Sequence, residues 1–148
     1  MFKLSVKVGY GILAVLALTL HEDRAVVPLS AKSIAKKENL SIRFLEQAMN
    51  DLKERGVIES VRGQHGGYRL SKSPKEITLS DVISAVEGER KVPSTRGFSE
   101  FSSKPKIFNE IVEGIDTALE SHLHAIDFDT LARRARALEE KSALMFHI

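Results

Sequence analysis

Residues 62–67 read Arg-Gly-Gln-His-Gly-Gly, and a short apolar segment lies on either side of them. Residues 57–61 and 68–70 have the composition of β-strands, and three glycines in six residues predict a tight hairpin between them. Because glycine carries no side chain, the backbone of such a hairpin can come close to another molecule. The rest of the chain shows mostly helical patterns, so we expect one small sheet in a mainly α protein.

The first helix is predicted from a nearly continuous apolar run at residues 8–20. Because this run follows Lys3 and Lys7, it resembles a signal peptide. It is, however, too short to cross a bilayer as a helix, which takes about 20 residues. It also lacks a small-residue cleavage pair before His21. We therefore expect a buried first helix in a cytoplasmic protein that does not contact membranes.

Two more helices are predicted between this helix and the hairpin. Ser30 is a good N-cap for a helix at residues 31–38, because its side chain can accept from a free backbone N–H. Ser41 is placed to cap a third helix at residues 42–55, and Gly56 is placed to end it in a left-handed conformation. The order helix, helix, turn, helix and hairpin is that of a winged helix-turn-helix.

The third helix divides into an apolar and a polar face. The predicted buried positions recur at steps of three and four residues: Ile42, Leu45, Met49 and Leu52. The exposed or flanking positions are polar: Arg43, Glu46, Gln47, Asn50 and Lys53. A polar helix face fits the major groove of DNA, where every base pair shows a distinct pattern of donors and acceptors. A helix face that only meets water has the same pattern.

Individual side chains of this polar face suit particular bases. Arg43 can donate to guanine, and Glu46 can accept from cytosine N4. Gln47 and Asn50 can each pair with adenine. Ser41, at the N-terminus of the helix, is suited to holding a phosphate, because free backbone N–H groups point there.

The hairpin offers further candidate contacts. Arg62 precedes the glycines, and Gly63 and His65 follow it towards the tip, where the backbone can approach a phosphate or enter a minor groove. A His-Gly-Gly string also occurs in the oxyanion holes of some hydrolases, but the chain has no G-x-S-x-G nucleophile turn. The segment does not match a P-loop either. We therefore predict that the protein is not an enzyme.

Charge is unevenly distributed along the chain. Residues 1–75 hold 13 basic and 7 acidic side chains, a net charge of +6, whereas residues 76–148 hold 9 basic and 13 acidic ones, a net charge of −4. A basic first half favours a polyanionic partner, although an ordinary solvated surface gives the same balance. The chain contains no cysteine, which excludes disulfides, thiolate redox chemistry and metal sites built from its own thiolates.

Helical signals resume after the hairpin. Thr78 with Asp81 resembles a capping box for a fourth helix that ends near Gly88. Its expected buried residues are Val82, Ile83 and Val86. Residues 89–104 are rich in Ser, Pro, Lys and Arg without clear periodicity, so we expect a flexible linker there.

Residues 105–123 are predicted to form a long helix with an apolar stripe at alternating three- and four-residue steps. A lone helix after a linker needs a partner, and a second copy of the chain is the simplest one. The expected dimerisation residues are Phe108, Ile111, Ile115, Leu119 and His122. A last helix is expected at about residues 129–141. It is followed by an apolar tail, residues 144–148, that packs on the core or on a second subunit.

These patterns predict three regions and no metal site. A winged helix-turn-helix occupies residues 1–88, the linker residues 89–104, and a helical dimerisation region with its tail residues 105–148. His122 and His124 are two residues apart and so lie on different sides of their helix, which does not suit a metal pair. A winged-helix module that binds proteins instead of DNA remains the alternative.

Residues 41–47 read Ser-Ile-Arg-Phe-Leu-Glu-Gln, and residues 61–70 read Val-Arg-Gly-Gln-His-Gly-Gly-Tyr-Arg-Leu. Residues 3–7 with Tyr10 precede them, and residues 77–88 follow. In this order and spacing, the motifs closely resemble those of the Rrf2 family of bacterial winged helix-turn-helix regulators.

The resemblance implies a homodimer that binds double-stranded DNA at a partly palindromic operator, as a repressor. The recognition-helix contacts of the family carry over to Ser41, Glu46 and Gln47. Its wing arginine, which enters the minor groove, carries over to Arg62. The family's phosphate-contacting positions correspond to Lys3, Ser5 and Tyr10.

The chain departs from the family pattern in its sensor region. Cluster-binding members place three cysteines after the Glu-Gly that closes the fourth helix, and residues 89–105 hold none. We therefore expect no iron–sulfur cluster and no other cofactor. The signal that the protein senses remains open: it is an effector protein, a small metabolite near the linker, or no intrinsic signal at all. Arg43 stands where the family often has a small polar residue, which leaves its base preference open. Gly9 stands where many members have arginine, so we expect one backbone contact fewer than in those members.

Overall fold

The computed structural model describes residues 3–23, 25–88 and 103–147. Within these ranges, six α-helices and one two-stranded antiparallel sheet follow one another. They are α1 Val6–Glu22, α2 Ala31–Glu38, α3 Ile42–Glu54, β1 Ile58–Val61, β2 Gly67–Leu70, α4 Leu79–Glu87, α5 Pro105–His124 and α6 Phe128–Phe146. The mainly α fold with one β-hairpin is confirmed. Of the linker predicted at residues 89–104, residues 89–102 lie outside the described residues.

α1 runs through the centre of the hydrophobic core. Its residues Val8, Val15 and Leu18 are at most 1% exposed, and they share one core with Leu45 and Leu52 of α3. α1 also contacts α2, α4, β2 and α6. The prediction of a buried first helix is confirmed. No helix in the described part of the chain combines the length and apolar content that a membrane crossing requires.

Several helix ends are fixed by local hydrogen bonds that the sequence predicts. The Ser30 hydroxyl accepts the Ser33 N–H at 3.1 Å at the start of α2. Thr78 and Asp81 form both hydrogen bonds of a capping box at the start of α4. Gly56 has a φ of +73°, the left-handed conformation in which glycine ends a helix without steric cost. These three predictions are confirmed.

The start of α3 differs from the prediction in two respects. Ser41 has the extended conformation of an N-cap, but its side chain forms no capping hydrogen bond. Ile42, predicted to be buried, is 41% exposed. The reason is that residues 41–44 all lie at the surface, and Leu45 is the first residue of α3 to reach the core. Ala48, which the sequence analysis did not name, is buried instead.

The turn between α5 and α6 is attached to the segment before α4. The Phe128 N–H donates to the Ile77 carbonyl, and the Leu79 N–H donates to the Ile126 carbonyl, both at 2.9 Å. The side chains of Phe128 and Ile77 are fully buried. Phe128 and Leu123 belong to the same hydrophobic core as α1 and α4, so the C-terminal helices are anchored in that core at this turn.

Asp127 caps α6 by accepting the Thr130 N–H at 2.8 Å. This backbone hydrogen bond holds the pKa of the Asp127 carboxyl below its ordinary value. Because the pKa is lower in the folded state, the cap stabilises the protein fully at a pH above the ordinary carboxyl pKa. This stabilisation is lost as the pH falls through the lowered pKa of the folded state.

Of the apolar tail predicted at residues 144–148, residues 144–146 form the last turn of α6, and Ile148 lies outside the described residues. No glycine or proline follows Lys141 to end the helix, so α6 continues to Phe146. Leu144, Met145 and Phe146 are 69%, 70% and 87% exposed. The prediction that α6 ends near residue 141 is therefore wrong. Of the two alternatives for the tail, these exposures argue against packing on its own core, and packing on a second subunit stays a prediction.

Candidate nucleic-acid interface

α3 presents a continuous polar face to solvent. Its exposed polar side chains recur at i, i+3, i+4 and i+7 and therefore share one side of the helix: Arg43, Glu46, Gln47 and Asn50. They line one open surface depression together with Lys7 of α1 and Asp51 of α3. The predicted exposure of this face is confirmed, and its contact with bases stays a prediction.

An ion pair that the sequence analysis did not predict lies at the edge of this depression. The ammonium group of Lys7 is paired with the carboxylate of Asp51. Both groups are partly exposed, so the pair adds only about 0–1 kcal/mol to stability. The pair also neutralises the Asp51 carboxylate, so this residue adds no net negative charge beside the polar face.

The N-terminus of α3 is held in place by α1. The Tyr10 hydroxyl accepts the backbone N–H of Ser41 at 3.2 Å. The Tyr10 ring meets the ring of Phe44 edge-on, with centroids 6.3 Å apart. Tyr10 still has its phenol proton to donate to another acceptor. The fold thus brings together two residues, Tyr10 and Ser41, that the sequence analysis assigned to DNA contacts.

Two further predicted phosphate contacts lie at the start of α1. Ser5 is its N-cap, and the Ser5 Oγ accepts the Val8 N–H at 3.2 Å. The hydroxyl proton of Ser5 remains able to donate. Lys3 lies just before the helix and is exposed. Because a helix N-terminus carries partial positive charge, this end of α1 is electrostatically suited to an anion.

The hairpin of β1 and β2, residues 58–70, is referred to here as the wing, and its turn depends on glycine. Gly63 has a φ of +124°, and its carbonyl accepts the Gly66 N–H at 3.0 Å. A Cβ on Gly66 would lie 2.4 Å from the Val61 carbonyl oxygen, and one on Gly67 would lie 2.7 Å from the Leu29 carbonyl oxygen. Neither position can carry a side chain unless the backbone moves. The predicted tight hairpin is confirmed.

The predicted contact residues of the wing are exposed. Arg62 directly follows β1, and Gly63 and His65 lie in the turn. Arg69, by contrast, is paired with Glu59 on the facing strand. Within the ranges that the structure describes, no ion pair involves Arg62, so its guanidinium is available to an external anion.

The apolar stripe predicted for dimerisation is only partly exposed. Ile111 and Ile115 are 55% and 65% exposed, and His122 is exposed as well. Phe108 is half-buried. Leu119 is also half-buried and packs against the core of its own chain. The stripe is therefore divided: Leu119 packs on the core of its own chain, and Ile111 and Ile115 are exposed to solvent.

Most of the chain matches one family of known regulators in sequence, and more than half of it also matches individual members. Residues 4–134 match the model of the Rrf2 family, described as iron-dependent transcriptional regulators. The chain is 41% identical to the HTH-type transcriptional regulator IscR of Aliivibrio salmonicida over 85 residues, 57% of this chain and 49% of that protein. It is 40% identical to the HTH-type transcriptional regulator CymR of Bacillus subtilis over 86 residues, 58% of this chain and 61% of that protein. The chain thus spans about half to three fifths of the length of these relatives.

Solved structures extend the similarity to most of the fold. The match with the T. potens IscR structure covers 90% of this chain and 88% of that chain, with 30% identity and a TM-score of 0.72. The match with the structure of CymR, the global cysteine regulator of B. subtilis, covers 90% of this chain and 98% of that chain, with 30% identity and a TM-score of 0.68. The predicted fold class and family resemblance are confirmed, and the relatives are named as regulators rather than enzymes.

The iron in the family's description can be tested against the ligands that this chain offers. Iron–sulfur clusters are held mainly by cysteine thiolates, and the chain has no cysteine. Among the described residues, no group of three His, Asp or Glu side chains is placed to hold a metal ion. The residues present therefore do not fit a thiolate-ligated iron site.

Proposed function

Because the chain belongs to the Rrf2 family, we propose that it is a transcriptional regulator that binds specific DNA sequences as a homodimer. The observation that carries this proposal is the exposed polar face of α3, with Arg43, Glu46 and Gln47 on one side of a helix. An α-helix fits the major groove, and these three side chains supply donors and acceptors that match base edges there.

The elements around α3 support its orientation on DNA. Both α1 and β1 contact α3, so phosphate contacts made by α1 and by the wing would fix the position of α3 in the groove. Lys3 and Ser5 lie at the start of α1, where they would bind the sugar-phosphate backbone. Arg62 would reach into the neighbouring minor groove, whose negative potential attracts arginine.

Dimerisation is proposed through the exposed apolar face of α5. Ile107, Ile111 and Ile115 follow one another at four-residue steps and are 54%, 55% and 65% exposed. Contact with the same face of a second copy would remove this surface from water. A two-fold dimer would place two α3 helices in successive major grooves about 34 Å apart, which explains why a partly palindromic operator is expected.

Repression is the proposed mode of regulation. A dimer that occupies two successive major grooves would exclude other proteins from that stretch of a promoter. Deleting the gene should then raise transcription from promoters that contain the operator. A fall in their transcription would show activation instead.

Replacing Gln47 by Ala is expected to relax sequence preference at one base pair. The amide of Gln47 can pair with adenine in a bidentate way, and such a pair discriminates against the wrong base by about 1–3 kcal/mol. Affinities for a selected operator and for its single-base variants would be measured by fluorescence anisotropy. Asn109→Ala removes an exposed amide from α5 and should leave the preference unchanged. An equal loss for all sequences in the Gln47 variant would contradict the base contact.

Replacing Ile115 by Asp is expected to convert the dimer into a monomer. The change places one charge from each subunit at the proposed apolar interface, where burial of unpaired charge is costly. Sedimentation velocity measures the oligomeric state. Thr117→Asp introduces the same charge at an exposed α5 position away from the isoleucine face and should remain dimeric. If the Ile115 variant stays a dimer, this face is not the interface.

A further inference from the structure

The outer edge of the wing is attached to the connection between α1 and α2. In an antiparallel pair, alternate residues of a strand direct their N–H and C=O groups away from the partner strand. In β2 these outward residues are Tyr68 and Leu70. The next residue, Ser71, donates its N–H to the Val57 carbonyl on the β1 side, so the backbone of its neighbour Leu70 faces the other way. Tyr68 exchanges two backbone hydrogen bonds with Leu29, of 2.9 and 3.0 Å. One outward donor, the Leu70 N–H, is left for another acceptor.

That acceptor is the carboxylate of Glu22. The Leu70 N–H donates to Glu22 Oε1 at 2.9 Å in a partly buried setting, across 48 residues of sequence. Glu22 is the last residue of α1. The next residue, Asp23, is paired with Arg136 of α6. The end of α1 is thus bound on one side to the base of the wing and on the other to the C-terminal helix.

We propose that Glu22 is a positioning residue for DNA binding, which holds the wing at the angle that brings Arg62 to the minor groove. This inference rests on the proposed function. The reason is the length of the hairpin: at about 3.3 Å per residue, Gly67 lies about 10 Å from Leu70 along β2. A tilt of about 10° at the base would move the far end by roughly 2 Å. A hydrogen bond from Arg62 to DNA would tolerate a displacement of only a few tenths of an ångström.

The charge of Glu22 and its hydrogen bond should affect DNA binding in opposite directions. The proposal can therefore be tested by whether a variant binds DNA more weakly or more tightly. Removing a negative charge from the DNA-binding half should by itself strengthen binding to phosphates. Shortening the side chain without changing its charge should have no such effect. If Glu22 acts by position, the reach of its side chain matters more than its charge.

Two conservative variants separate reach from charge. Glu22→Asp keeps the charge but is one methylene shorter, and we expect its operator affinity to fall about tenfold, as for the loss of one charge-assisted hydrogen bond. Glu22→Gln keeps an oxygen acceptor at the same reach, and we expect it to stay within about threefold of the wild type or to bind more tightly. Glu87→Asp makes the same substitution at the last residue of α4 and should not weaken binding.

A double-mutant cycle with Arg62 shows whether the effect passes through the wing. In the wild-type background, Arg62→Ala should weaken binding about tenfold. In the Glu22→Asp background, the same change should weaken it less than about threefold, because Arg62 no longer reaches its contact. Gln47→Ala should weaken binding equally in both backgrounds, because α3 does not depend on this hydrogen bond.

Amide hydrogen exchange at Leu70 reports the hydrogen bond without DNA. We expect exchange at Leu70 to accelerate in Glu22→Asp and to recover in Glu22→Gln, with the core of α1 still protected. If the wild type binds DNA but Glu22→Asp binds equally well, or if its cycle with Arg62 is additive, the positioning role is refuted. If the wild type binds no DNA at all, the proposed function fails instead, and the exchange result still tests the hydrogen bond.

Discussion

Raising the salt concentration from about 50 to about 200 mM is expected to weaken operator binding by about 10³- to 10⁵-fold. This range corresponds to roughly six to ten neutralised phosphates per dimer, or three to five per subunit. Each subunit has enough exposed cations in its DNA-binding half: Lys3, Lys32, Lys36, Lys37, Arg43 and Arg62. Binding that depends on these groups releases condensed counterions, so the logarithm of the affinity falls linearly with the logarithm of the salt concentration.

Two variants show which residues contribute to this slope. Lys3→Ala should lower it by about two units per dimer, since each lost phosphate contact removes about one unit. Gln47→Ala should leave the slope unchanged, because a base contact displaces no counterion from phosphate. A slope near zero for the wild type would contradict a phosphate-binding surface and would favour a winged-helix module that binds proteins.

Replacing Phe128 by Ala is expected to lower the free energy of unfolding by about 3–5 kcal/mol. Phe128 is fully buried at the start of α6, and its loss leaves a cavity where the α5–α6 turn meets α1 and α4. Urea unfolding followed by circular dichroism measures the change. Since a domain of this kind is stabilised by about 5–15 kcal/mol in total, the expected loss is a large fraction of its stability.

Phe44→Ala is the matched control for this cavity. The same ring is removed, but Phe44 is 54% exposed and meets Tyr10 edge-on. Its loss should cost only about 1 kcal/mol, from the ring contact and the remaining buried area. Equal losses in the two variants would contradict the view that the α5–α6 turn is anchored in the core of the DNA-binding half.

Elements with local signals could be predicted from the sequence. Ser30, Gly56 and the Thr78–Asp81 pair each act within three residues of their own position, and the structure confirms all of them. The glycines of the wing are also local, because they satisfy the geometry of one turn. The family resemblance then selected candidate contacts, of which only Tyr10 is not fully at the surface.

Features that depend on distant residues could not be predicted in this way. The helical period placed Ile42 in the buried stripe, but Ile42 is 41% exposed, because α3 first reaches the core at Leu45. The pairing of Lys7 with Asp51 and of Glu22 with Leu70 joins residues more than 40 positions apart, and neither has a sequence pattern. Asp127 is a good N-cap and so signals that α6 begins at Phe128, but it does not signal that the Phe128 side chain is buried.

The most direct test of the central claim is selection of genomic fragments by the purified wild-type protein, followed by sequencing. We predict enrichment of one partly palindromic motif, with half-sites centred about one helical turn apart, around 34 Å. Two copies of α3, presented by a dimer, would produce this spacing. Fragments enriched no more than random DNA would contradict sequence-specific binding, and a single half-site without its repeat would contradict the dimer.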